Sequence, residues 1–172
     1  MPLLPEADQI SDIAFGYMGS KALFNALDLG VFTALEGAPK DPASLAAAIH
    51  APAERLNTLL TALAGLGLLA HEDGAWSNAP AATAFLVKGA KYDFGDYLRL
   101  QVGRQMYRLI DQIDDALAGR PGAGHVTSYA DWFSDEAEAR LYSESQHAGS
   151  LGPARQRAPE RRPGPGSRPR QG

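Results

Sequence analysis

The sequence predicts a mainly α protein with one small β-hairpin, and three observations carry that prediction. Residues 41–78 read in order as short helix, turn, longer helix and tight hairpin. Within the longer helix, Leu56, Leu59, Leu60, Leu63 and Leu66 recur at i, i+3, i+4, i+7 and i+10, an apolar stripe along one face. Long stretches of helical periodicity flank the unit on both sides, at 7–35 and 94–117. Helix, helix, hairpin is the winged-helix order.

Local signals support each piece. Asp41-Pro42-Ala43-Ser44 opens the first helix, because short polar side chains accept the free N–H groups of a helix start and proline is tolerated in the first turn. Leu45, Ala48 and Ile49 form its small apolar face. Pro52 opens the second helix. Leu68–His71 and Ala75–Asn78 read as strands joined through Glu72-Asp73-Gly74, and Asp-Gly favours a tight hairpin turn.

Upstream, residues 1–40 hold helices that start the chain. Ala7 to Leu35 is strongly helical, with a break expected near Gly16 or Gly19. Ile10, Ile13, Tyr17, Phe24, Leu27 and Val31 keep one face apolar, and from Ala22 a second face fills with Leu23, Ala26, Phe32 and Leu35. A helix apolar nearly all round must be buried nearly all round. In a domain this small, a partner subunit is the economical cover; a central core helix is the alternative. Gly30 reads as a C-terminal cap and Glu36–Lys40 as a loop.

The winged-helix segment extends over 41–90, closing with a helix from Pro80 to Val87 capped by Ser77-Asn78, with Phe85, Leu86 and Val87 turned inward. Residues 91–156 supply a long helix and those after it. Phe94 to Leu117 is predicted as one helix with Leu98, Val102, Met106, Leu109, Ile110, Ile113 and Leu117 as its stripe. Arg99, Arg104, Arg108, Asp111, Asp114 and Asp115 form its wet side, and Gly119-Arg120-Pro121-Gly122 ends it. A loop with Tyr129, Trp132 and Phe133 leads into a last helix, roughly Glu136 to Gly149.

At Arg157 the composition changes. Of the last 16 residues 12 are Arg, Pro or Gly, so the segment 157–172 cannot offset its ordering entropy by burial and is expected to be disordered. It reads either as a flexible basic tail or as the product of a shifted reading frame in a GC-rich gene. Sequencing the locus decides between them.

The totals exclude several classes. A 172-residue chain with 45% apolar residues holds one domain with a sizeable core, with or without an appendage. Net charge is −4, but the final 16 residues carry five arginines against one glutamate, which leaves −8 on residues 1–156. An acidic body argues against a nucleic-acid phosphate backbone as partner. Without cysteine there is no disulfide, thiol nucleophile or thiolate metal site. No apolar run nears the ~20 residues of a membrane span, and the first residues lack a signal-peptide pattern, so a soluble cytoplasmic protein is expected.

No catalytic motif stands out: G-x-G-x-x-G, the P-loop and H-E-x-x-H patterns are all missing. His50, His71, His125 and His147 are scattered, which reads as surface or loop histidine, and no metal site is expected. Asp111, Asp114 and Asp115 read as a solvated acidic face partly paired to Arg108. Tyr107, Trp132 and Phe133 are large flat groups near element ends that either floor a pocket for a planar substrate or close the core. A DNA-reading winged helix would put Arg, Lys, Asn or Gln along its second helix. Here that helix offers Arg55, Asn57, Thr58 and Thr61, then Ala62, Ala64 and Gly65, and the wing tip is Glu72-Asp73. The unit reads as a packing device.

The stretch from Ile13 to Phe24 (Ile-Ala-Phe-Gly-Tyr-Met-Gly-Ser-Lys-Ala-Leu-Phe) and Ala26-Leu27-Asp28-Leu29-Gly30-Val31-Phe32 resemble the opening of the S-adenosylmethionine-dependent O-methyltransferases of the plant caffeate and animal hydroxyindole type. Ser44-Leu45-Ala46, Leu59–Leu63, Gly67-Leu68-Leu69, Asp115–Pro121, Trp132-Phe133 and Arg140-Leu141-Tyr142 extend the resemblance over about residues 7–155. Bacterial relatives act on polyketides and other aromatic natural products. The resemblance implies an interlocking homodimerisation domain whose last helices wall a substrate pocket. It also implies that Tyr17 and Met18 reach the partner's pocket, while Tyr107, Trp132, Phe133 and Gln146 line the chain's own. The family's cofactor, S-adenosylmethionine, belongs to a following Rossmann-like domain that also holds the histidine base. Ser150–Arg155 resembles the start of the linker helix, after which the Arg/Pro/Gly segment stands where that domain would begin.

The expected function is therefore the dimerisation and substrate-lid part of a small-molecule O-methyltransferase, inactive alone, with no catalytic or cofactor-binding residue to name. A winged-helix transcriptional regulator, a dimerisation-only adaptor, or a heterodimer partner of an intact methyltransferase are the alternatives.

Overall fold

The computed structural model describes residues 6–110, 112–120 and 135–149. Helix α1 runs unbroken from Ala7 to Leu29, so the break expected near Gly16 or Gly19 does not occur. One interior glycine costs a helix only about 1 kcal/mol, too little to end it against the residues on either side. The chain turns instead at Gly30, which takes the left-handed conformation (φ 74°) and donates its N–H to the carbonyls of Ala26 and Leu27. That is the cap the sequence predicts. The short helix α2, Val31–Ala34, follows with Val31 and Phe32 buried.

Helix α3, Pro42–Ala48, starts as expected at Asp41. Oδ1 of Asp41 accepts the backbone N–H groups of Ala43 and Ser44, both at 3.0 Å, and Oδ2 accepts the Ser44 hydroxyl at 2.5 Å. These bonds, the Ser44 hydroxyl foremost, hold the Asp41 carboxyl below its ordinary range. The helix buries Leu45 and Ala46, while Ala48 faces solvent, contrary to the expected face; with so few residues the helix settles on Leu45, Ala46 and Ile49. Helix α4, Ala53–Gly65, buries Leu56, Leu60 and Leu63 along its stripe. It packs against α1 and α3. Leu66, just past its end, is half exposed.

Strands β1, Leu69–Glu72, and β2, Ala75–Asn78, pair antiparallel with Leu69 opposite Asn78 and Glu72 opposite Ala75. Asp73 (φ 50°) and Gly74 (φ 78°) are both left-handed, the backbone of a type I′ turn. The expected loop before α3 also joins the sheet: Lys40 donates to the Trp76 carbonyl at 3.0 Å and accepts from the Trp76 N–H at 2.8 Å. Asn78 does not cap the next helix. Its amide donates to the Phe32 carbonyl at 2.8 Å, tying β2 to α2, and helix α5 (Pro80–Phe85) begins at Ala79 without a side-chain cap. Leu86 and Val87 are buried as expected, in chain beyond the helix end. Phe32, Leu35, Leu45, Leu60, Leu63, Trp76 and Val87 form the centre of the core.

Downstream, the single helix expected over 94–117 is three pieces: a π-helix from Tyr97 to Met106, α6 (Tyr107–Ile110) and α7 (Ile113–Leu117). The π-helix bonds i to i+5, so its turns are wider than the 3.6-residue pattern assumes. Leu100, Gln101 and Gln105 become the buried set, while Met106, Ile110, Ile113 and Leu117 of the expected stripe are exposed. Arg99 and Arg104 are not a free wet side either. Both pair with Asp28 near the end of α1, at 3.6 and 2.7 Å, and Arg99 also pairs with Asp96 at 2.9 Å. Asp115 pairs with Arg120, and the side chain of Arg108 lies outside the described residues. Helix α8, Glu136–Gly149, lies along the π-helix. Tyr129, Trp132, Phe133, Asp111, His125 and the 157–172 segment lie outside the described residues. Among the described residues no helix is long and apolar enough to cross a membrane.

Candidate functional site

Where the π-helix gives way to α6 it meets the middle of α1, and a pocket of about 250 Å³ opens there. Tyr17, Ser20 and Phe24 line one wall, spaced i, i+3 and i+7 and so on one face of α1. Val102, Tyr107 and Ile110 line the other. The Tyr107 ring stands edge-on to Phe24, centroids 5.8 Å apart and planes at 82°, a geometry aromatic quadrupoles favour. The close crossing depends on Gly103: a Cβ there would lie 2.9 Å from Cγ of Phe24 and 3.2 Å from the Leu98 carbonyl. At the rim, the exposed Lys21 ammonium sits 5.4 Å from the centroid of the Tyr107 ring.

Of the residues the sequence singled out, Tyr17 and Tyr107 come together here. Met18 does not line the pocket; it is exposed on α1. Gln146 belongs to a separate polar seam between α8 and the π-helix, where its amide donates to Oε1 of Gln101 at 2.8 Å. Buried Ser145 donates to the same oxygen at 3.3 Å, and Gln105 donates to the backbone carbonyl (2.9 Å) and carboxylate (2.7 Å) of Glu138. Trp132 and Phe133 lie outside the described residues. Ser20, Phe24, Val102 and Ile110 were not foreseen as pocket residues, because an apolar stripe reads first as core. The available signal was the alignment of Tyr17, Ser20 and Phe24 on one helical face.

A second cleft, about 270 Å³, lies between the end of α1 and the start of the π-helix, with Asp28, Lys88, Asp93, Asp96 and Arg99 on its walls. Its carboxylates are already engaged: Asp28 and Asp96 by Arg99, and Asp93 by the N–H groups of Gly89 and Gly95 at 3.0 and 2.8 Å. Its ion pairs tie the end of α1 to the π-helix. Among the described residues, no group of three or more His, Asp or Glu side chains is arranged to hold a metal ion.

Comparison with known proteins bears on the fold that carries this pocket. Residues 11–88 match the family model described as O-methyltransferase dimerisation domain. The chain is 39% identical over 87 residues to mouse acetylserotonin O-methyltransferase, covering 47% of this chain and 22% of that protein. It is 30% identical over 150 residues to the N,N-dimethyltransferase OxyT of Streptomyces rimosus, covering 86% of this chain and 42% of the relative. The fold superimposes on human N-acetylserotonin methyltransferase, solved in complex with SAM, with a TM-score of 0.73 at 24% identity, over 90% of this chain and 49% of that one. The chain thus spans under half the length of these proteins.

Proposed function

With residues 11–88 an O-methyltransferase dimerisation domain, we propose that this chain supplies the dimerisation and substrate-lid part of a small-molecule O-methyltransferase, acting on an aromatic or polyketide-like acceptor. The observation that carries the reading is the exposed apolar surface of α1. Ile10, Ile13, Phe15, Tyr17 and Met18 are all exposed, Ile13 by 71%. Exposed apolar side chains gathered round one helix end in this way mark an interaction site, and a second copy offers the same surface. The partner is a second copy or an intact methyltransferase. Relatives' names support the substrate class: a 3-hydroxy-5-methyl-1-naphthoate 3-O-methyltransferase and a tetracenomycin polyketide 8-O-methyl transferase are among them.

S-adenosylmethionine is the cofactor this family implies. The described residues do not fit it. Their sheet is a two-stranded hairpin closed by Asp73-Gly74, with no strand, glycine loop and helix to cradle a nucleoside. No methyl-transfer step is therefore assigned to these residues, and the 172-residue chain alone is expected to be inactive. Tyr17, Phe24 and Tyr107 would instead help to enclose a flat acceptor.

Sedimentation of the purified chain tests the first half: a dimer is expected, and a monomer at tens of micromolar would count against it. Incubation with labelled S-adenosylmethionine and aromatic phenols tests the second, where methyl transfer above background would refute inactivity. Salt-dependent binding to duplex DNA would favour a regulator, against which the exposed acidic tip Glu72-Asp73 argues.

A further inference from the structure

We propose that the pocket between α1 and the π-helix selects a small aromatic ligand bearing an anionic oxygen, and that Lys21 is the residue that sets this preference. The proposal rests on the substrate-lid reading above and names the ligand class for that same pocket.

Three features carry it. The lining side chains, Tyr17, Ser20, Phe24, Val102, Tyr107 and Ile110, carry no charge. They suit a flat ring, and the Ser20 hydroxyl is already turned to the Gly16 carbonyl at 3.3 Å. The volume, about 250 Å³, falls below the roughly 300–1,000 Å³ usual for small-molecule sites. It offers a ring-sized seat that is open to solvent on one side. Finally, the rim holds a cation with no counter-ion: among the described residues no carboxylate lies within ion-pair distance of Lys21. Asp28, seven residues along the same face of α1, is taken by Arg99 and Arg104.

Lys21 is at i+4 from Tyr17 and lies over the Tyr107 ring. A ring seated against Tyr17 and beside the edge-to-face pair of Phe24 and Tyr107 puts an edge substituent within reach of the ammonium. Because that ammonium is exposed, the gain is modest, about fivefold, and falls as salt rises.

The test uses the 172-residue chain with two probes, 2-naphthoate and its neutral carboxamide, their affinities measured by equilibrium dialysis. Naphthoate is expected to bind about fivefold tighter. Lys21→Met should bring the ratio of the two affinities to about one, and Lys21→Arg should retain the preference. Equal affinity of wild type for the two probes, or a preference that survives Lys21→Met, overturns the proposal and leaves the lid reading intact. If neither probe binds at millimolar concentration the proposal falls, and the lid reading is judged by the sedimentation test above. Sedimentation of Lys21→Met is run alongside, since loss of the dimer would assign Lys21 to the subunit contact and overturn its role at the rim.

Discussion

Asp41 accepts two backbone N–H groups and a hydroxyl, and its carboxyl is held below the ordinary range by them. A depressed native pKa means the unfolded chain takes up a proton first as pH falls. The contribution to stability is therefore complete above the unfolded value and lost as pH drops through the folded one. Asp41→Ala should lower the urea midpoint at pH 7, and the gap to wild type should narrow below about pH 4; a gap independent of pH would point to packing instead. Gly103 acts differently. Gly103→Ala drives a methyl into Phe24 and the Leu98 carbonyl, which should cost roughly 1–3 kcal/mol in urea unfolding and distort the pocket wall. Asp41 was legible because Asp-Pro-Ala-Ser is a local signal. Gly103 was not, because what it must accommodate is a side chain far away in the sequence.

The same division appears among the elements. Residues 41–78 carry their instructions locally, in a cap, a leucine stripe and an Asp-Gly turn, and the structure follows them closely. The π-helix does not. Its apolar residues sit at spacings that also satisfy an ordinary helix, and its buried set includes two glutamines, Gln101 and Gln105, that no hydrophobic pattern would select. Their burial follows from α8, which meets the π-helix through amide hydrogen bonds. Val102 on the π-helix and Ile110 just beyond it in α6 both read as members of one core stripe, which hid their place in the pocket. Gln101→Ala removes the acceptor shared by Ser145 and Gln146. Faster amide hydrogen exchange across residues 136–149, with exchange in α4 unchanged, is the expected outcome; uniform acceleration would mean global destabilisation.

For the whole molecule, the uneven distribution of burial decides the reading. The core gathers around α4, the hairpin and the second half of α1, while residues 6–18 are exposed throughout. The sequence revealed the apolar faces of α1 but not that the chain itself covers them only along the second half of the helix. Ile13→Glu places a charge at the centre of the uncovered face. It should convert dimer to monomer in sedimentation without unfolding the core, as judged by near-ultraviolet circular dichroism. Retention of the dimer would move the subunit contact elsewhere.

The projecting half of α1 bears on how the protein behaves on dilution. From Ala7 to Met18 it is 12 residues, about 18 Å of helix, and isolated helices shorter than about 12–15 residues are marginal in water. Assembly is expected to reinforce its coiling, so that local order becomes a readout of concentration. Ellipticity at 222 nm should fall as the protein is diluted below its dimer dissociation constant and return when it is reconcentrated. An ellipticity constant across that range would mean the arm winds without help.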